Sequence, residues 1–218
     1  MPLLPRIGGL PRAFWYLWLG TLINRIGGFA LIFFPLHLTG TRGFSVELVG
    51  LIQAAYGVGS FCAAPLGGAL ADRLGRRDPR WTLWVPAIAS TIEVPLLIAF
   101  LLVPSRTLAL VIAFPGIMAG AMWLGPVFAG SQNLVRPALR AFTSSLMVFV
   151  INLIGLGLGP QAVGLLNDGL SPRFGAEAIR YSLCAVALAN AWAAGHWIWA
   201  ARTLREDLAS KQTRSAAA

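Results

Sequence analysis

The chain is poor in charge, and acidic residues are the scarcest of the charged types. Only 11% of its 218 residues are charged, with 8 acidic against 17 basic residues, whereas 57% are hydrophobic. A soluble domain carries roughly 25% charged residues to cover its surface. The mean hydropathy of +0.72 and the grouping of the charges between long apolar runs indicate that lipid surrounds most of this protein.

Cysteine and histidine are also scarce, with two residues of each. Cys62 and Cys184 lie inside apolar runs, so no disulfide framework is predicted. His37 and His196 lie far apart without a second ligand at metal-binding spacing, and we expect no metal and no cofactor. The spans contain no His-Glu-x-x-His, no Gly-x-Ser-x-Gly and no paired catalytic aspartates, which argues against an intramembrane enzyme.

The formal net charge of +9 does not point to nucleic acid. Most of the arginines sit at the ends of apolar runs, where they would face the cytoplasm and anionic lipid headgroups rather than form one basic patch. Membrane lipid is therefore a predicted partner, and nucleic acid is not.

Six apolar stretches are long enough to cross a membrane as helices, which takes about 20 residues each. They cover residues 14–38, 45–71, 81–103, 108–131, 141–166 and 181–201. The first stretch is too long for a signal-peptide core and is expected to remain as a span. The predicted fold is an all-α membrane protein with a tail at 1–13, a six-span domain at 14–201 and a tail at 202–218.

The basic residues between the spans predict the orientation. Twelve flank the spans on the side of the two termini and four lie on the other side, while Arg25 falls within the first span. By the positive-inside rule both termini are cytoplasmic in a multi-pass protein of the inner membrane. The twelve are Arg6, Arg12, Arg73, Arg76, Arg77, Arg80, Arg136, Arg140, Arg202, Arg205, Lys211 and Arg214.

The loop between the second and third spans carries the most specific motif. It reads Gly68-Ala-Leu70-Ala-Asp72-Arg73-Leu-Gly75-Arg76-Arg77. The segment resembles the signature loop of the major facilitator superfamily at every defined position. The resemblance implies a major-facilitator-type helix bundle and a gating role for this loop. A carboxylate at a helix end suits a latch, because it can bind a neighbouring helix N-terminus or an arginine and release it after a small tilt.

The fifth span contains closely spaced glycines that end in Gly159-Pro160. This run, with Gly155, is similar to the glycine-proline signature of drug/proton antiporters, and small residues four apart allow close helix packing. Residues 14–77 resemble the first two spans of that antiporter branch. Residues 75–207 resemble the last four spans of spinster-type transporters, which carry the same signature loop in their second half.

The chain has half the spans of the family it resembles. Members usually have twelve spans in two six-helix halves; a natural half-size transporter, a recombined chain and a shortened one all fit this sequence. We expect a homodimer in which two copies replace the two halves. The fifth span would supply the contact, with Gly155, Gly157 and Gly159 allowing close approach and Asn152 hydrogen-bonding across. A lone bundle with this face toward lipid is the competing expectation.

Two charged residues, Arg25 and Glu93, fall near the middle of their spans, where an unpaired charge is costly and usually functional. They would either bind an anionic substrate and a proton respectively, or neutralise each other as a structural pair. The resemblance favours Arg25 as the ligand, since first helices line the cavity and third helices lie at the periphery. Asn24, Gln53 and Asn152 are further candidates for a polar cavity or for interhelical hydrogen bonds.

The predicted function is secondary active transport. The resemblance implies that a small organic solute, which includes amphipathic solutes, is moved by alternating access and that a proton gradient drives the transport. The rival interpretation is a transport-inactive half that inserts, packs and acts as the membrane partner of another half.

Overall fold

The computed structural model describes residues 10–28 and 30–216, and the regular structure in these two segments is helical throughout. Nine α-helices are joined by short π-helical and 3₁₀ segments. They are α1 (Arg12–Gly28), α2 (Ala30–Leu36), α3 (Val46–Gly75), α4 (Trp81–Leu102), α5 (Arg106–Ala121), α6 (Leu124–Asn133), α7 (Arg140–Asn152), α8 (Gly159–Phe174) and α9 (Ala178–Ala216).

These helices form six passes, as the hydropathy pattern predicts. Span 1 is α1 and α2 with the π-helical segment His37–Thr41; span 2 is α3; span 3 is α4; span 4 is α5 and α6. Span 5 is α7, the π-helical segment Leu153–Leu158 and α8, and span 6 is α9. By length and apolar composition alone, α8 and α9 form one stretch. They are separate passes, because a 3₁₀ turn at Gly175–Glu177 divides them, Gly175 adopts a φ of 54°, and the two helices pack on each other.

Spans 3 and 6 pack against each other. Span 6 also packs on spans 1 and 5, and span 3 on spans 2 and 4. Spans 2 and 5 therefore lie on opposite sides. Both present large apolar side chains outward, among them Phe61 on span 2 and Phe149 on span 5. Such faces suit lipid or another membrane helix rather than water.

At one end of the bundle, two arginines from other spans bind the C-terminal carbonyls of α4. Arg42 Nη2 donates to the Phe100 carbonyl at 3.0 Å, and Arg180 Nη2 donates to the Leu102 carbonyl at 2.6 Å. These carbonyls have no partner within their own helix, and the two cations also face the negative end of the helix dipole. This is the end predicted to be extracytoplasmic.

The opposite end is held by α9, which extends as far as Ala216, well beyond the predicted span end at 201. Asp207 Oδ2 accepts a hydrogen bond from the Ala13 backbone N–H at the start of α1, at 2.8 Å. Arg205 forms an ion pair with Asp78 in the loop between spans 2 and 3, also at 2.8 Å. Much of the segment predicted as a tail is thus a helix docked on its own chain.

Candidate functional site

The signature segment covers the last turns of α3 and the turn that follows it. Gly67, the residue just before the segment, brings span 2 onto span 4. A side chain at Gly67 would collide with the backbone carbonyl of Met122. A Cβ atom at Gly125 would lie 3.1 Å from the Ala64 carbonyl and 3.5 Å from the Gly68 Cα atom. Only residues without side chains permit this approach. A Cβ atom at Gly68 itself would meet open space, so glycine is required for this packing at positions 67 and 125 and not at 68.

Asp72 and the arginines of the motif face outward. Asp72 lines an open groove between α3 and α6, together with Pro65 and Phe128. In the part of the chain that the structure describes, its carboxylate forms no ion pair. The remaining motif residues, Leu70, Arg73, Arg76 and Arg77, are exposed, and Gly75 lies beside Thr82 at the turn into span 3.

Arg25 lies in a cluster built by spans 1, 4 and 6. Its Nη2 donates to Asn24 Oδ1 at 3.1 Å, and its guanidinium carbon lies 4.6 Å from the centre of the Trp123 ring. Asn24 Nδ2 in turn donates to Asn190 Oδ1 at 3.1 Å. Trp123 stacks on Trp197 with ring centres 6.0 Å apart. Among the described residues, the guanidinium charge is thus met by a π face and an amide oxygen, and no carboxylate pairs with it.

Glu93 lines a narrow cavity near Arg25, enclosed by spans 1 to 4. Its Oε2 is buried and finds no hydrogen-bond partner among the described residues, and the same holds for Arg25 Nε. The two side chains, both within the described residues, approach no closer than the 4.0 Å limit of an ion pair. The cavity has a volume of about 40 Å³ accessible to water-sized molecules. Apart from Glu93, its lining consists of apolar residues and Tyr56. This volume is enough for a few waters but not for an organic solute.

The other predicted pathway residues, Gln53 and Asn152, form no hydrogen bond with this cluster in the described part of the chain. Gln53 is half-buried on α3, and Asn152 is exposed on α7, where its Nδ2 donates to its own helix at Val148. Gly157 faces outward with open space around it, whereas Gly159 is buried inside the bundle and Pro160 is half-buried. These glycines therefore do not share the single face that the predicted dimer contact assumed. The surroundings of Gly155 lie outside the described residues.

Two residues of the Arg25 cluster, Asn190 and Trp123, were missed in the sequence analysis. An asparagine inside an apolar span is a usable signal, because a buried amide needs partners, and Asn190 is such a residue. Trp123 carries no comparable signal, since membrane proteins are rich in tryptophan and only the fold brings this one over Arg25.

Comparison with known proteins adds relatives that match most of the chain. No protein-family model matches it. An MFS-type efflux pump of Mycolicibacterium smegmatis (strain ATCC 700084 / mc(2)155) is 33% identical over 194 residues, which covers 86% of this chain and 44% of the pump.

Two solved structures share the fold. Both are of a bacterial homologue of the human lysosomal transporter Spinster in an inward-facing conformation, one unoccupied and one occupied. The TM-scores are 0.77 and 0.75 at 27% identity, and the matches cover 89% and 92% of this chain but 48% and 51% of those chains. The chain thus spans about half the length of the relatives it matches.

Proposed function

We propose that this chain, which is related to an MFS-type efflux pump and shares the fold of about half of a solved transporter, moves a small organic solute across the inner membrane by alternating access. The observation that carries this proposal is the cluster around Arg25. A charge in the interior of a membrane bundle is costly to keep and is rarely present without a ligand, an ion or a counter-charge to meet.

Arg25 is the proposed anchor for an anionic group of the solute. Asn24 and the ring of Trp123 contact part of the guanidinium, while Nε is buried and has no partner within the part of the chain that the structure describes. Glu93 is the proposed proton-binding group. An ionised carboxylate with an unpartnered buried oxygen is unfavourable, and the narrow cavity beside it suits the entry of water and protons.

Asp72 is the proposed latch residue. It lies at a helix end, exposed beside an open groove, and pairs with no basic residue of the described chain. A second six-helix unit could place a helix N-terminus or an arginine there in one state and withdraw it in the other.

The second unit is proposed to be another copy of the same chain. The relatives are about twice as long, and an even number of spans inserts both copies in one orientation, so that a two-fold axis along the membrane normal is allowed. Span 5 would supply the contact, since its side chains Val148, Phe149, Leu153 and Leu158 all face outward.

Cysteine cross-linking tests this contact. In a background with Cys62 and Cys184 replaced by serine, cysteine at Gly155, Leu156 or the exposed Leu153 should join two chains under mild oxidation. Leu183→Cys is the matched control, because Leu183 is fully buried within its own bundle. Links at the control position alone, or at none, would exclude span 5 as the interface.

Flux measurements in proteoliposomes test transport itself. Amphipathic solutes should drive proton movement with the unaltered chain but not with Arg25→Ala or Glu93→Gln, while Arg106→Ala at the far end of span 4 should remain active. The rival, a transport-inactive half that needs another protein, is favoured by the 44–51% coverage of the relatives. Absence of solute-dependent flux from a correctly folded preparation would support that rival.

A further inference from the structure

Asn190 of span 6 is a buried member of the Arg25 cluster and is joined to the guanidinium through Asn24. Its Oδ1 accepts the hydrogen bond from Asn24 Nδ2 at 3.1 Å, and only 1% of its surface is exposed. A side chain at Gly27 would overlap the Asn190 carboxamide. Glycine at position 27, on the same helix as Arg25, therefore makes room for the Asn190 amide of the neighbouring helix α9.

We propose that Asn190 is a positioning residue that makes Arg25 a preset donor for an oxyanion, a carboxylate or phosphate group of the solute. Asn24 has one amide oxygen and one amide nitrogen. Because Asn190 accepts from the nitrogen, the oxygen is turned toward Arg25 Nη2. The proposal rests on the function assigned above to Arg25.

The remaining contacts of Arg25 determine which ligand chemistry it suits. Trp123 covers one face of the guanidinium and is itself held by stacking on Trp197. Nη2 is bound to Asn24, and Nε is buried with no partner in residues 10–28 and 30–216. The planar fork of arginine matches the two oxygens of a carboxylate or phosphate, and a fork held in place loses less conformational freedom on binding.

If Asn190 were replaced by an apolar residue, the amide of Asn24 would lose the partner of its nitrogen and could rotate. Its oxygen would then no longer be directed at Arg25. Asn190→Leu keeps the approximate volume but removes the acceptor, whereas Asn190→Asp keeps an acceptor oxygen. Ser182→Ala is the matched control, because Ser182 is buried in the same span and bonds only its own helix, at the Ala178 carbonyl.

The test is nuclear magnetic resonance of the protein labelled with ¹⁵N-arginine in detergent, with the Arg25 signal assigned by its loss in Arg25→Lys. Exchange of the Arg25 N–H protons with water should be about fivefold faster in Asn190→Leu, the effect of losing one hydrogen bond. Asn190→Asp should exchange no faster than the unaltered chain, because it keeps the acceptor oxygen, and Ser182→Ala should match the unaltered chain. Addition of decanoate should shift the Arg25 signal in the unaltered chain but not in Asn190→Leu, and decyltrimethylammonium should not shift it in either.

Unchanged exchange in Asn190→Leu, or equal impairment by leucine and aspartate, would overturn the positioning role. Equal shifts from both amphiphiles would overturn the oxyanion class. If Asn190→Leu does not fold, Asn190→Ala provides the same comparison. The exchange measurement involves no transport. A chain that moves no solute can therefore still show the predicted faster exchange in Asn190→Leu, and a chain that transports can still show unchanged exchange.

Discussion

Replacing Arg25 and Glu93 singly and together tests how the two buried charges are arranged. The structure predicts that Arg25→Ala loses the contact with Trp123, about 0.5–2 kcal/mol, and a charged hydrogen bond to Asn24, about 1.5–3 kcal/mol. The expected loss of unfolding free energy is therefore about 2–5 kcal/mol. Glu93→Ala should cost about 1 kcal/mol or less, because its Oε2 has no partner to lose.

The double variant distinguishes a direct ion pair from two separate sites. Removing one partner of a buried pair typically costs about 3–5 kcal/mol, whereas removing both can be nearly neutral. Since the two side chains form no ion pair within 4.0 Å, the double variant should be as unstable as Arg25→Ala, to within about 1 kcal/mol. Unfolding by dodecyl sulfate in mixed micelles gives the three free energies. A double variant close to the unaltered chain in stability would refute the arrangement described here.

Four further predictions concern the motif, the helix contacts and the orientation. Asp72→Asn should leave the membrane yield near normal and reduce transport, while Glu206→Gln, another exposed acid, should change neither; unchanged transport in Asp72→Asn would remove the latch role. Gly67→Val should destabilise the bundle by about 1–3 kcal/mol through its collision with Met122, whereas Gly57→Val, which points into open space, should be tolerated; equal effects would contradict the packing of spans 2 and 4. The Arg80 backbone N–H, with Arg205 and Arg80, lowers the pKa of Asp78. The ionised Asp78 therefore stabilises the fold above its ordinary pKa of about 4, and this stabilisation is lost as the pH falls through the lower pKa of the folded state. The unaltered chain should unfold at a higher temperature than Asp78→Asn at pH 7, and the difference should shrink at acid pH; a difference that does not change with pH would contradict this prediction. A reporter that works only in the cytoplasm should be active when fused at Ala218, whereas activity there of a reporter that works only in the periplasm would refute the predicted orientation.

The passes could be predicted from sequence because the cost of burying charge in lipid leaves a simple pattern of long apolar runs. Their internal breaks could not. Span 4 is interrupted at Met122–Trp123 and span 5 contains the π-helical segment Leu153–Leu158, and both lie within uniformly apolar sequence. The extension of α9 was missed for another reason: its stability depends on docking contacts such as Asp207 with Ala13, residues 194 positions apart.

The candidate site was predicted only in part. Charge inside a span is rare enough to single out Arg25 and Glu93, and the structure links them through Gly28, which lies against the Arg25 guanidinium and lines the same cavity as Glu93. Whether they touch depends on side-chain geometry that no spacing rule encodes. Asn152 was placed in the pathway by the same reasoning, but it lies exposed on span 5, because polarity alone does not say which face of a helix a residue occupies.

The molar mass of the purified protein in a mild detergent, measured by light scattering with the detergent contribution subtracted, tests the central claim most directly. One chain has a mass of 23.2 kDa. Two copies completing one transporter predict twice that value, maintained on dilution. A mass equal to one chain would contradict the homodimer and the self-sufficient transporter built on it.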